Sequence, residues 1–207
     1  MDFWDHISDI TKPPLIVAEM SANHNQSLEV ALDLTREVIK AGAHAIKLQT
    51  YRADTLTLDS TRAEFLISEG PWAGQTLYEL YRSAEMPWEW HAPIFETARK
   101  SNLVYLSSPF DFSAVDFLEK QDVPAYKIAS PEIVDKGLIQ YVAATQKPMI
   151  ISTGMASQEE IADAVHAARN AGCEELALLH CISSYPAPMD QANIRQVAEL
   201  GRRFDVV

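Results

Sequence analysis

Short apolar, β-branched runs recur along the chain, with stretches of helical periodicity between them. The runs predict strands over residues 15–20, 45–50, 103–110, 125–130, 149–154 and 175–181, and a seventh beginning at Asp205-Val-Val. Near-continuous apolar strands suit a parallel sheet covered on both faces, and the spacing suits one strand–helix unit per step. Ser27 is placed to cap a helix in which Leu28, Ala31, Leu34, Val38 and Ala41 share a face, and Gly42 is placed to end it. Ser157-Gln-Glu-Glu160 fits a capping box ahead of a buried stripe of Ile161, Ala164, Val165 and Ala168, which stops before Gly172. Residues 88–100, 135–145 and 190–203 read as further helices.

The interval between the second and third strands is far longer than the rest. It holds an insertion, about residues 51–87, that is rich in aromatic side chains, with Trp72, Tyr78 and Tyr81 inside it and Trp88 just after. A substrate lid and a packed surface excursion both fit that composition. No Gly-x-Gly-x-x-Gly follows a strand, and there is no Walker loop, so the common nucleotide fingerprints are missing. The alternation predicts an α/β fold, a (β/α)8 TIM barrel truncated after about six and a half βα units, because such a barrel typically needs ~250 residues. The 207 residues are accordingly read as a single, partial barrel domain.

Charge narrows the functional classes. The chain carries 29 acidic and 17 basic side chains, a formal charge of −12, which argues against a nucleic-acid footprint. No apolar run approaches the ~20 residues of a membrane span, and the N-terminus Met1-Asp-Phe-Trp-Asp-His shows no signal-peptide pattern. Cys173 and Cys181 lack CxxC spacing and read as two buried free thiols of a cytoplasmic protein.

Polar residues gather at the carboxyl ends of the strands, where parallel barrels build their sites. These ends read Glu19-Met-Ser-Ala-Asn-His24, Lys47-Leu-Gln49-Thr50, Ser107-Ser108-Pro-Phe-Asp111, Lys127-Ile-Ala-Ser130-Pro-Glu132, Ser152-Thr153-Gly154 and His180-Cys-Ile-Ser183-Ser184-Tyr185-Pro186. Lys47 and Gln49 are two apart and so share one face of their strand. Lys127 sits in an otherwise apolar strand, where a cation is costly unless it is paired or liganded. Two such lysines among hydroxyl-bearing strand ends point to a phosphate or carboxylate site. The alternative is a pair of interior ion pairs, Lys47 with Glu19 and Lys127 with Glu132. His24 and His180 read as hydrogen-bonded structural histidines rather than ligands, and His44, His91 and His166 as surface or helix-packing residues.

The same residues carry a family likeness. Ala18-Glu19-Met-Ser-Ala-Asn23-His24, Ile46-Lys47-Leu-Gln49-Thr50, Ser107-Ser-Pro-Phe110, Ala125-Tyr-Lys127-Ile-Ala-Ser130, Ser152-Thr-Gly-Met155 and Leu179-His180-Cys181 through Tyr185-Pro186 resemble the barrel of the sialic acid synthase family, in order and at matching spacing. The insertion, with Asp54-Thr-Leu-Thr-Leu-Asp59 and Leu77-Tyr-Glu-Leu-Tyr81, and the following Glu89-Trp-His91 are more similar to the family's pseudaminate branch than to its N-acetylneuraminate or legionaminate branches.

The resemblance implies condensation of phosphoenolpyruvate with a 2,4-diacetamido-2,4,6-trideoxyhexose, giving a nine-carbon 2-keto-3-deoxy acid and phosphate. It places Lys47, Ser108, Lys127, Ser130 and Ser183 around phosphoenolpyruvate, and Gln49 and Tyr185 on the sugar. Glu19 and Glu132 take catalytic roles, Glu132 near the aldehyde oxygen and Glu19 positioning water. It further implies a divalent metal (Mn2+, Mg2+ or Co2+) in the full-length enzyme. The family's two histidine ligands and its C-terminal antifreeze-like domain, which completes the site across a homodimer, would lie beyond Val207. Two other readings remain open from the residues alone: a Schiff-base aldolase using Lys47 or Lys127 as nucleophile, and a non-catalytic fragment that holds sugar or phosphate.

Overall fold

The computed structural model describes residues 3–184 and 186–207. They gather into two compact units, Ile16–Gln121 and Met1–Leu15 with Asp122–Val207. The short N-terminal helix α1 (Phe3–Ile7) belongs to the latter.

In the unit Ile16–Gln121 the order is β1 (Val17–Glu19), α2 (Leu28–Lys40), β2 (Ala45–Thr50), α3 (Ala53–Leu56), α4 (Leu77–Ala84), α5 (His91–Lys100), β3 (Val104–Pro109) and α6 (Phe112–Lys120). The strands are parallel, with Glu19 opposite Lys47 and Gln49 opposite Ser108. Ile46, Leu48 and Leu106 of the strands, Ile94, Phe95 and Ala98 of α5, and Val115 and Leu118 of α6 are all buried. Phe95 lies against Tyr105 at 4.7 Å between ring centroids, and the Arg99 guanidinium covers the same tyrosine.

The unit with Asp122–Val207 runs β4 (Tyr126–Ile128), α7 (Lys136–Ala143), β5 (Met149–Ser152), α8 (Gln158–Asn170), β6 (Leu176–Leu179) and α9 (Arg195–Phe204). These strands too are parallel, with Lys127 opposite Ile150 and Ser152 opposite Leu179. Its core is built from Tyr126, Ile128, Met149, Ile151, Leu138, Ile139, Val142, Ile161 and Ala164.

The first six expected strands and the expected helices are present, several of them shorter than the sequence suggests. β4 ends at Ile128 because Ser130 and Pro131 turn into a 3-10 helix, Pro131–Val134. The helix expected over 190–203 starts only at Arg195. Asn193 has φ +40°, outside the helical region, and a separate 3-10 turn, Met189–Gln191, precedes it. Residues 88–90 likewise form a 3-10 turn ahead of α5. In α2 the buried positions are Ala31 and Thr35, whose hydroxyl donates to the Ala31 carbonyl, whereas Ala41 is exposed at the C-cap. The α6 helix, which hydrophobic spacing did not single out, is marked by the Asp111 carboxylate accepting from Ala114 N–H at 3.0 Å. The expected capping box is formed: Ser157 Oγ accepts from Glu160 N–H and Glu160 accepts from Ser157 N–H.

The end of the chain pairs with β6. Leu178 N–H donates to the Val207 carbonyl at 2.9 Å, and Val207 N–H donates to the Leu176 carbonyl. The strand expected from Asp205 is not formed among the described residues, because Asp205 is the left-handed C-cap of α9. Among the described residues no helix is long and apolar enough to cross a membrane.

Removing the Ser157 cap should cost about 1 kcal/mol, and opening a cavity at the fully buried Phe95 should cost about 3–5 kcal/mol. Denaturant unfolding of Ser157→Ala and Phe95→Ala is therefore expected to separate the two by at least a factor of two in lost stability.

Candidate active site

Strand parity sorts the polar residues of the Ile16–Gln121 unit into two groups. Glu19, Lys47, Gln49 and Ser108 fall on one side of the strands, as the alternation requires. Glu19 and Lys47, directly opposite in register, form an ion pair, with the Lys47 side chain 17% exposed and the Glu19 side chain 36% exposed. Lys47 Nζ also donates to Ser108 Oγ at 3.5 Å. The interior ion pair weighed as an alternative for Lys47 is thus real, and it brings the predicted anion ligand and the predicted catalytic carboxylate together. Gln49 is half-buried on the same face.

Thr50 and Ser107 fall on the other side. Thr50 Oγ1 lies 2.7 Å from Ser107 Oγ and 2.8 Å from His91 Nε2, and His91 Nδ1 lies 3.2 Å from the Trp88 carbonyl. Because a carbonyl only accepts, Nδ1 carries the proton and Nε2 accepts from the Thr50 hydroxyl. This tautomer agrees with the imidazole's environment, since burial pushes its pKa from 6.5 to about 4. His91, expected at the surface or packing a helix, does pack against α6 through Phe117, and it is wholly buried and also bonded to β2. The insertion is tied to it: Trp88 Nε1–H donates to the Tyr51 carbonyl, Tyr51 meets Tyr81 edge-on, and Glu85 accepts from Ala53 N–H. Trp72 stays 52% exposed. A cavity of about 380 Å³ opens among Tyr51, Arg52, Tyr78, Arg82, Glu85 and Trp88.

The second cluster belongs to the unit with Asp122–Val207. Lys127 is only 6% exposed, and its ammonium donates to Ser152 Oγ and to the Ile128 carbonyl. Burial raises the Glu132 pKa, an effect opposed by the backbone hydrogen bond at Glu132 and by the Lys127 charge. Glu132 Oε2 is buried with no hydrogen-bond partner. Ser130 and Ser183 both approach Gly154, since an atom at the Cβ position of that glycine would meet their two hydroxyl oxygens. Cys181 is only half-buried, contrary to the reading of two buried thiols, because it lies beyond the end of β6, and its Sγ sits 3.3 Å from Ser152 Oγ. Cys173 is buried, and burial pushes its thiol up to about 11. Ser152, Gly154 and Cys181 were visible as strand-end residues in the sequence, but nothing in the spacing distinguished them from ordinary polar termini.

His24 and His180 are both hydrogen-bonded within the fold. His24 is buried, with Nδ1 accepting from Gln26 N–H, its ring edge-on to Trp90 and its Nε2 without a hydrogen-bond partner among the described residues; His180 Nε2 bonds the Ala192 carbonyl. Tyr185, expected on the sugar, lies outside the described residues. Among the described residues no group of three His, Cys, Asp or Glu side chains is placed to hold a metal, so the residues present do not fit the divalent ion that the family resemblance implies. The chemistry the two clusters offer is anion binding by Lys47 and Lys127 with serine hydroxyls, beside two carboxyl groups, Glu19 and Glu132.

The NeuB family profile matches residues 34–207, most of the chain and nearly all of both clusters. The chain belongs to the NeuB family. Among relatives of this NeuB chain, pseudaminic acid synthase of Helicobacter pylori is 45% identical over 195 residues, 94% of the chain and 57% of the relative. The same enzyme of Campylobacter jejuni is 43% identical over the same shares, and N,N'-diacetyllegionaminic acid synthase of Legionella pneumophila is 34% identical over 92% of the chain and 55% of the relative. The NeuB chain thus spans little more than half the length of these relatives. Among solved structures, the N-acetylneuraminic acid synthetase of Leptospira borgpetersenii, in complex with citrate, matches with a TM-score of 0.82 at 29% identity, covering 94% of this chain and 63% of that one. A truncated 3-deoxy-D-arabino-heptulosonate 7-phosphate synthase of Thermotoga maritima shares the fold alone, with a TM-score of 0.60 at 12% identity. The strand–helix alternation is that of the TIM-barrel-type synthases.

The depressed His91 pKa has a consequence for stability. A histidine at 6.5 when unfolded and about 4 when folded contributes stability that is fully present above pH 6.5 and lost as the pH falls toward 4. The slope over that window is about 1.4 kcal/mol per pH unit. Comparing unfolding free energies of the native chain and His91→Gln between pH 7 and pH 4.5, the native chain should lose stability more steeply.

Proposed function

We propose that this chain is the phosphoenolpyruvate-binding part of a pseudaminic acid synthase. The observation that carries the reading is Lys127, a lysine 6% exposed inside a strand and hydrogen-bonded to Ser152. That arrangement occurs in a chain 45% identical to a pseudaminic acid synthase over 94% of its length. A buried ammonium bonded to a serine hydroxyl suits an anion as a further ligand, and its burial makes each charge-assisted bond to that anion stronger.

In this reading Lys47 and Ser108, and Lys127, Ser130 and Ser183, neutralise the phosphate and carboxylate of phosphoenolpyruvate. Carbon 3 attacks the aldehyde carbon of the open-chain 2,4-diacetamido-2,4,6-trideoxyhexose. Glu132, whose raised pKa favours the protonated form, gives its proton to the aldehyde oxygen. Water adds at carbon 2 and loses its proton to the Glu19 carboxylate, which the Lys47 ammonium orients. The C–O bond to phosphate then breaks as the carbon 2 hydroxyl passes its proton to the departing phosphate, leaving the 2-keto-3-deoxy acid and inorganic phosphate. Gln49 and Tyr185 hold the sugar. A divalent ion, Mn2+, Mg2+ or Co2+, a homodimer and a cytoplasmic setting belong to the full-length enzyme in this reading. The pseudaminate branch is favoured over the legionaminate branch by 45% and 43% identity against 34%.

Calorimetry with phosphoenolpyruvate should show binding to the 207-residue chain, weakened on the order of tenfold or more by Lys127→Met and by Lys47→Met. Joined to the remainder of the Helicobacter pylori enzyme, the chain should release phosphate from phosphoenolpyruvate when given the diacetamido sugar and Mn2+. A cooperatively folded chimera that releases none with any 2-acetamido sugar would sink the proposal.

A further inference from the structure

We propose that Gly154 is a positioning residue, whose missing side chain lets the hydroxyls of Ser130 and Ser183 gather at the end of β5 and act on one bound anion together. The inference deepens the anion-binding reading above and rests on it. A methyl group at position 154 would stand 2.4 Å from Ser183 Oγ, 2.8 Å from Ser130 Oγ and 3.3 Å from Cys181 Cβ. The first two distances lie inside van der Waals contact, so a side chain there and both hydroxyls where they are cannot coexist. Gly154 is not among the residues with positive φ. Close approach, rather than backbone freedom, is therefore what the position requires of glycine.

The three residues come from three successive strand ends: Ser130 follows β4, Gly154 follows β5 and Ser183 follows β6. The glycine follows the middle strand of the three, and a methyl group there would reach both oxygens. Two residues before it, Ser152 Oγ accepts from Lys127 Nζ. The hydroxyls that Gly154 admits thus gather at the end of the strand that holds the buried lysine's partner. A serine hydroxyl relieves a clash cheaply, by rotating about χ1 to another staggered position. Alanine at 154 should accordingly leave the fold standing and scatter the donors, which separates a positioning role from a structural one.

The test is a set of four proteins, the native 207-residue chain, Gly154→Ala, Ser183→Ala and the double variant, titrated with phosphoenolpyruvate by calorimetry and melted in parallel. Gly154→Ala should weaken binding on the order of tenfold or more, the loss of hydrogen bonds to a charged group, while its melting temperature changes little. In the Ser183→Ala background the same substitution should weaken binding by a smaller factor, because the oxygen nearest the new methyl is gone. Gly154→Ala binding as tightly as the native chain, or losing the same factor in both backgrounds, would overturn the inference. If Gly154→Ala melts far below the native chain, the triple variant Gly154→Ala, Ser130→Ala, Ser183→Ala decides. Recovery of its melting temperature upholds the clash with the two hydroxyls, and no recovery refutes it. Lys127→Met is the control for the underlying reading. A native chain that does not bind phosphoenolpyruvate overturns both readings, whereas binding lost in Lys127→Met and kept in Gly154→Ala overturns this one alone.

Discussion

Burying the ammonium of Lys127 is the constraint around which its cluster is arranged. A cation taken out of water costs several kcal/mol unless oxygen atoms replace its hydration shell. Here Ser152 Oγ and the Ile128 carbonyl are among the atoms that do so, and the lysine's own field holds down the rise in the Glu132 pKa that burial causes. In Glu132 desolvation is the largest effect and raises the pKa, against the backbone hydrogen bond at Glu132 and then the Lys127 charge, which lower it.

The other lysine is managed differently. Lys47 faces Glu19 across a parallel register and is ion-paired outright, so an incoming anion would share it with a carboxylate. The two faces of the same strands divide their work. Lys47 and Ser108 stand on one face with Glu19 and Gln49, while Thr50, Ser107 and His91 form a buried hydrogen-bonded chain on the other. That chain ties β2 and β3 to the segment at Trp88, which also bonds Tyr51 at the start of the insertion. Keeping His91 neutral is part of the arrangement, because a protonated imidazole would have no acceptor for its second proton at Thr50 unless the hydroxyl turned around. The formal charge of −12 makes local placement matter more. The long-range field of the chain repels anions, so any anion site depends on the few cations in contact with it.

Much of this was legible from residue order. The strands at 45–50 and 104–109, the caps at Ser27 and Ser157, and the shared face of Lys47 and Gln49 follow from period, propensity and cap chemistry, all of which act over a few residues. The start of α9 was misplaced because a left-handed Asn193 breaks what the apolar spacing alone would continue. The bond of His91 to Thr50 was not legible because the two lie 41 positions apart. Cys181 read as buried because residue type predicts burial only on average, and this one lies past the end of its strand.

The sequence by itself determined the α/β alternation, the polar residues that gather at the strand ends and the family to which the chain belongs, since each is written in local pattern and motif. Only the tertiary structure decided which groups meet: Glu19 with Lys47, Ser107 and Thr50 with His91, and Ser130 and Ser183 around Gly154. The reason is physical. Local order fixes which way a side chain points from its own strand, whereas the register between strands and the packing of helices on them fix what stands opposite.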